Sequence, residues 1–233
     1  MGSMQRHLIR AAMVFVCLVS LGSTELQAIA QPFPNGVSMR APAYRASISP
    51  LPKELRHRMR GSSWHSGCPV GLDDLRLLGL TYWGFDRSAH HGKLVVHRRW
   101  ARKVAGVFGK LYDARFPIRK MFLIDRYGAK DKRSMRADNT SAFNCRYRNG
   151  VCCVWSQHAF GRAIDINPVE NPYVGDWGVS PPNGAPFVKR KPLRRGMLAR
   201  HDRAWWAFHR IGWEWGGQWT WPTDYQHFSA NNR

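Results

Sequence analysis

The stretch that most limits what this chain can become is Ser156-Gln157-His158-Ala159-Phe160-Gly161-Arg162-Ala163-Ile164-Asp165-Ile166-Asn167-Pro168. A histidine and an aspartate stand seven positions apart, with a glycine turn between them. Asp165 lies inside a short apolar run. In a strand, successive side chains face opposite sides. Ile164 and Ile166 then face a core, while Ala163, Asp165 and Asn167 share the other side. The fold must therefore include a sheet that holds a carboxylate on a rigid strand, with His158 at the other end of the turn before it. Imidazole nitrogen and carboxylate oxygen both suit a zinc ion. Two donors do not make a site, so a third has to come from a distant segment. The best candidate is His227, in Asp224-Tyr225-Gln226-His227-Phe228.

Ser156, His158 and Asp165 match a Ser-x-His-x6-Asp motif, and Asp224 with His227 matches a closing Asp/Glu-x-x-His motif. Together these resemble the zinc D-alanyl-D-alanine carboxypeptidases and L-alanyl-D-glutamate endopeptidases. That family lies within the lysostaphin, D-Ala-D-Ala peptidase and hedgehog superfamily, and it cuts the stem peptides of bacterial peptidoglycan. Asp138-Asn139-Thr140-Ser141-Ala142-Phe143-Asn144-Cys145-Arg146 and Gly212-Trp213-Glu214-Trp215-Gly216-Gly217-Gln218-Trp219 add a branch-level likeness, which runs from about Thr81 to Phe228.

The resemblance implies an α+β fold, hedgehog/D-Ala-D-Ala-peptidase-like, with a small antiparallel sheet and helices packed on it. It implies Zn2+ as cofactor, held by His158, Asp165 and His227. Three protein ligands leave one position open for water, and a nearby carboxylate must accept that water's proton. Asp224 corresponds to the base of the relatives, and Glu214 is the rival. The implied partners are peptidoglycan stem peptides, and the implied binding groups are Ser141, Ser156, Arg133 and Arg146. Either arginine could fork a substrate carboxylate. The alternative is an inactive zinc-containing cell-wall or receptor-binding protein. The helical His-Glu-x-x-His site of other zinc proteases is absent.

The start of the chain reads as a targeting segment. Arg6 and Arg10 precede an apolar run from Ala11 to Gly22, which leads to Ala28-Ile29-Ala30, a small-x-small cleavage pattern. Such a run falls short of the ~20 residues a membrane span needs. The expectation is a signal peptide at 1–30, a flexible basic linker or pro-segment at 31–62 and a catalytic domain at 63–233, with no membrane span in the mature chain. The protein is then secreted, to the periplasm or beyond, and monomeric.

Lys and Arg number 36 against 15 Asp and Glu, a formal charge of +21. That predicts anionic partners through long-range attraction. Anionic cell-wall polymers fit an exported protein. Nucleic acid is not expected, since the basic residues form no periodic face.

Cys17 leaves with the signal peptide, so Cys68, Cys145, Cys152 and Cys153 remain. An oxidising compartment allows two disulfides. A bridge between adjacent cysteines is strained. The expectation is that one of Cys152 and Cys153 joins Cys68 and the other joins Cys145.

Elsewhere, Trp100, Val104, Val107, Phe108 and Leu111 recur at helical spacing, which predicts a helix to about Ala114. Leu94-Val95-Val96 and Ile118 to Ile124 read as strands. A helix is expected from about Arg200 to Ile211, stopped by Gly212. The Pro/Gly-rich stretch from Asn171 to Gly196 reads as a lid, a binding loop or a solvated insertion. The tryptophans from Trp213 to Trp221 are expected mainly in the core, with sugar stacking as the other reading.

Overall fold

Alternating apolar residues between Leu75 and His97 make the longest sheet element. The computed structural model describes residues 42–148 and 152–231, so the expected signal peptide lies outside the described residues. Strand β1 (Ala46–Pro50) is followed by helix α1 (Lys53–Met59). Strands β2 (Leu75–Gly84) and β3 (Ala89–His97) then form an antiparallel hairpin, with Leu75 opposite His97 and Trp83 opposite Ala89. β1 pairs antiparallel with the other edge of β2, Ala46 opposite Leu80. The sheet face formed by Leu78, Leu80, Leu94 and Val96 is covered by helix α2 (Ala101–Asp113) through Val104, Val107, Phe108 and Leu111, all fully buried. These are the residues whose spacing predicted the helix.

Two expectations change in this region. The stretch 42–62, the far part of the expected linker, is folded onto the domain. Leu51, Leu55 and Met59 enter a second apolar cluster with Leu72, Leu75, Val95 and Phe143. Three apolar side chains at suitable spacing suffice to dock this short strap, although its composition is basic. Cys68 is bridged to Cys145, while Cys152 and Cys153 are free thiols with sulfurs 2.6 Å apart. Neither expected pairing of Cys68 or Cys145 with the adjacent pair forms. The strap decides this: the Cys145 N–H donates to the Ser63 carbonyl at 2.9 Å, which brings the loop of Cys68 against Cys145.

The expected strand from Ile118 to Ile124 is broken into β4 (Pro117–Ile118), parallel to the end of β2, and β5 (Lys120–Met121). Arg119 lies between them, where its backbone N–H donates to Asn167 Oδ1 instead of a ladder. Helix α3 (Asp131–Arg136) follows, and β6 (Asn139–Thr140) pairs with β5.

The remaining elements build two small antiparallel sheets. β7 (Ala163–Asp165) is followed by the hairpin β8 (Tyr173–Gly175) and β9 (Gly178–Ser180). Helix α4 (Arg203–His209), shorter than expected, begins at Asp202, whose carboxylate accepts from the Trp205 N–H at 2.6 Å and so caps it. β10 (Glu214–Trp215), β11 (Thr223–Asp224) and β12 (His227–Ser229) complete the chain. One sheet has the order β10-β12-β7 and the other β11-β8-β9. The architecture is α+β, with small antiparallel sheets and a few helices.

Phe228 anchors β12. It is fully buried, stacked on Phe208 of α4 at 4.1 Å, and stands opposite Ile164 across the sheet. Its two neighbours on β12, His227 and Ser229, therefore project to the other face.

Candidate metal centre

His158 is set by a single turn. Residues Gln157–Phe160 form a 3-10 turn whose cap is Ser156, and the Ser156 hydroxyl accepts from the His158 N–H at 3.3 Å. Gly161 ends the turn at φ +63, and a Cβ there would lie 2.6 Å from the His97 nitrogen. Only glycine meets both conditions, the left-handed backbone and the close approach to β3. The chain then enters β7, which delivers Asp165.

The third group arrives through sheet register. His227 stands directly opposite Asp165 in the β12–β7 pair. His227 Nδ1 lies 3.0 Å from Asp165 Oδ1, and His158 Nε2 lies 3.2 Å from Asp165 Oδ2. The two ring nitrogens are 3.3 Å apart. All three residues are buried, and their donor atoms lie within 4.8 Å of one another. Three buried donors facing one point, two imidazoles and one carboxylate, are groups that could hold a metal ion, and zinc is among the ions such donors suit.

The second ring nitrogen of His158 supports that role. Nδ1 lies 2.6 Å from the Ala142 carbonyl and donates to it, which leaves the Nε2 lone pair directed at Asp165 and His227. Asp165 is also held from behind. Its N–H donates to the Ser141 carbonyl at 2.9 Å, and the Ser141 N–H returns to its carbonyl at 3.1 Å. Burial works to raise the Asp165 pKa. His158 and His227 override it and hold the carboxyl well below the usual carboxylate range. The site is thus built around a carboxylate that stays ionised.

Asp224 stands three residues before His227, at the end of β11. Its Oδ1 is buried and has no hydrogen-bond partner among the described residues. Burial, with Asp165 adding to it and the His227 charge opposing, pushes its pKa up to about 6. Gly216 shows how close the two groups sit. A Cβ at Gly216 would meet the Asp224 carbonyl oxygen at 2.7 Å, Asp224 Cβ at 3.0 Å and His227 Cβ at 3.4 Å. A buried, unpartnered carboxylate oxygen beside a three-donor cluster is placed to accept a proton there. Glu214 is elsewhere. It pairs with Ser229 on β10 and faces His209 of α4, 3.7 Å away.

The remaining predicted groups are dispersed. The Ser156 hydroxyl is committed to the turn of His158, and the backbone of Ser141 to Asp165. Arg146 is ion-paired with Asp131, whose other oxygen accepts from Asn144 Nδ2 at 2.7 Å. Arg133 is exposed on α3. Three contributors were not legible in advance. The Ala142 carbonyl orients His158, Gly216 lets Asp224 and His227 close up, and Trp219 lies 5.6 Å from the His227 ring, centre to centre. Trp219 and Gly216 stand in the tryptophan-rich stretch whose likeness was noted, which is the one sequence signal they carry.

Comparison with known proteins agrees with the geometry over part of the chain. Residues 152–230 match the family model described as D-alanyl-D-alanine carboxypeptidase. No curated protein and no solved structure matches the chain. The matched stretch is narrower than the likeness read from Thr81 onward, yet it holds His158, Asp165, Asp224 and His227. Over residues 152–230, the chain is similar to the D-alanyl-D-alanine carboxypeptidase family.

Proposed function

We propose that this protein is an exported zinc peptidase that hydrolyses peptide bonds in the stem peptides of bacterial peptidoglycan, as a D-Ala-D-Ala carboxypeptidase or an L-Ala-D-Glu endopeptidase. The observation that carries the reading is the convergence of His158, Asp165 and His227 beside the buried, unpartnered Asp224 oxygen. When bound, zinc supplies Lewis-acid polarisation of a carbonyl and a lowered pKa for a water.

The chain's own groups divide the remaining work. His158 and His227 offer ring nitrogens, and Asp165 offers the negative charge that favours a cation. Asp224 takes a proton at its free Oδ1 and returns it to the leaving amine. Its half-buried position and the exclusion of water from that oxygen suit a general base near neutral pH. Arg133 is the freer of the two arginines for a substrate carboxylate, since Arg146 is engaged by Asp131. The fold class extends, on this reading, to a hedgehog/D-Ala-D-Ala-peptidase-like sheet.

Export is supported by the disulfide between Cys68 and Cys145, a linkage of oxidising compartments. No helix among the described residues is long and apolar enough to cross a membrane. The test is mass spectrometry of muropeptides after incubation with zinc-loaded protein. A mass loss of one D-alanine marks the carboxypeptidase and a split stem the endopeptidase. Intact stems of every type, with zinc bound, would leave a cell-wall binding protein in place of an enzyme.

A further inference from the structure

The hairpin joining β8 to β9 turns at Asp176 and Trp177, and Trp177 is 91% exposed. A side chain that apolar is seldom left so open at the tip of a turn. Trp221 is also exposed, at 57%, and its indole N–H donates to Asp176 Oδ1 at 2.7 Å. That bond ties the two tryptophans to one loop cluster. It holds Trp221 by its polar edge and leaves the ring surface uncovered.

The cluster is continuous with the metal centre. Trp221 lies three residues before Asp224, and β11, which carries Asp224, pairs with β8 just before the Trp177 turn. Trp219, two residues earlier, packs near the His227 ring. Trp219 beside the His227 ring and Trp221 bonded to Asp176 thus stand on the segment that leads into β11, which pairs with β8 just before the Trp177 turn.

We infer that Trp177 and Trp221 form a stacking platform for the sugar rings of the glycan strand to which the stem peptide is attached. This rests on the function proposed above. An aromatic face is electron-rich, so it attracts the polarised C–H groups on the flat side of a pyranose ring. Sugar hydroxyls at the rim meet a carboxylate, Asp176. The size also fits a sugar better than a protein. Two indoles exposed to this extent offer at most roughly 400 Å², against about 800 Å² per partner in a stable protein interface. The ligand class is therefore a β-1,4-linked N-acetylhexosamine oligomer, recognised beside the peptide site.

The platform is tested by binding without catalysis. A soluble β-1,4-linked N-acetylglucosamine oligomer is titrated into the full protein and followed by tryptophan fluorescence and calorimetry. Wild type should bind, and Trp177→Ala and Trp221→Ala should each weaken binding by about tenfold. Trp177→Tyr should restore most of it, because the ring face remains. On polymeric peptidoglycan the alanine variants should raise KM more than they lower kcat, and more than they do on sugar-free stem peptide. Equal oligomer binding by wild type and both alanine variants, or no binding by wild type, overturns the platform. So does tryptophan-dependent dimerisation in place of sugar binding, or tryptophan-dependent capture by lipid vesicles. Sugar binding without cleavage of any stem peptide would instead overturn the peptidase reading and leave the platform standing.

Discussion

Asp165 and Glu170 are five residues apart and both buried, yet they are held in opposite charge states. Burial raises the pKa of each. Asp165 faces His158 and His227 and stays ionised well below the usual range. Glu170 faces Asp138, with which it shares a hydrogen bond. Its Oε1 accepts from Arg119 Nη2 at 3.0 Å, its Oε2 has no partner among the described residues, and its pKa is pushed up to about 8. The Arg119 guanidinium is itself split between Glu170 and Asp138 and stacked on Phe85 at 3.6 Å. Desolvation alone therefore does not decide the charge of a buried acid; the neighbours do. Two imidazoles facing one carboxylate make a place for a cation, whereas two carboxylates on one arginine make a hydrogen-bonded brace.

The largest effect expected from this contrast is at Asp165. Purified protein should carry about one zinc per chain. Asp165→Ala should abolish both the metal and the turnover, as should His158→Ala. Full zinc occupancy in a variant lacking His158, Asp165 and His227 together would remove the site. Glu170→Gln should leave zinc stoichiometry intact, and its loss there would break the distinction between the two acids.

Asp224 comes next. Asp224→Asn should keep zinc and fold and lose about 10²–10⁴-fold in turnover, with Glu214→Gln much milder. Zinc stoichiometry and turnover, measured side by side, separate a lost base from a lost ligand. An active Asp224→Asn with a dead Glu214→Gln would transfer the role to Glu214.

A smaller loss is expected from Gly216→Ala, whose methyl group would press on Asp224 and His227 at once. Misplacement by about 1 Å can cost about 10²-fold. Turnover should fall by up to that amount and Tm should fall with it, because the nearest neighbour at 2.7 Å is the Asp224 backbone carbonyl; unchanged turnover and Tm would show that the loop moves aside freely.

The smallest effect is on stability and belongs to Glu170. Its folded pKa of about 8 lies above the ordinary value of 4.5. Between those values the folded chain keeps a proton that the unfolded chain has released. The contribution of Glu170 to stability is therefore fully present below about pH 4.5 and is lost as pH rises through about 8. Glu170→Gln should flatten this slope and raise Tm at pH 8 relative to wild type, by about 2–4 °C for each kcal/mol recovered. Thermal melts at pH 5 and pH 8 decide it, and parallel slopes for the two proteins would refute the protonated brace.

Much of the site was legible because its local parts obey short-range rules. The helix of Val104, Val107, Phe108 and Leu111 followed from its period, and Asp165 on a strand followed from the alternation of Ile164 and Ile166. Where expectation failed, a distant partner had intervened. The strap at 42–62 reads as linker because its own composition is basic; Leu51, Leu55 and Met59 find their cluster only once β2 and β3 exist. The Asn171–Gly196 stretch reads as a lid, a binding loop or a solvated insertion. It is pinned by Arg190, which donates to the Glu170 and Leu198 carbonyls and lies 4.3 Å over the Tyr225 ring. The expected disulfide pairing rested on the strain of adjacent cysteines, but the segment after the strap, where Ser63 meets Cys145, accompanies a different partner, Cys68.

The sequence by itself determined which chemical groups were available and which short segments could hold them rigidly: His158 before a glycine turn, Asp165 on an apolar strand, Asp224 three residues before His227. Periodicity and turn chemistry act over a few residues, so a single stretch is enough to express them. Only the tertiary structure decided that His227 stands opposite Asp165, 62 positions away, that Asp224 rather than Glu214 faces the cluster, and that Trp177 and Trp221 meet at Asp176. Those outcomes depend on how Phe228 packs between Phe208 and Ile164 and on the register that follows. Register is set by burying one face of a strand against residues distant in the chain, and a one-residue slip would turn His227 into the core.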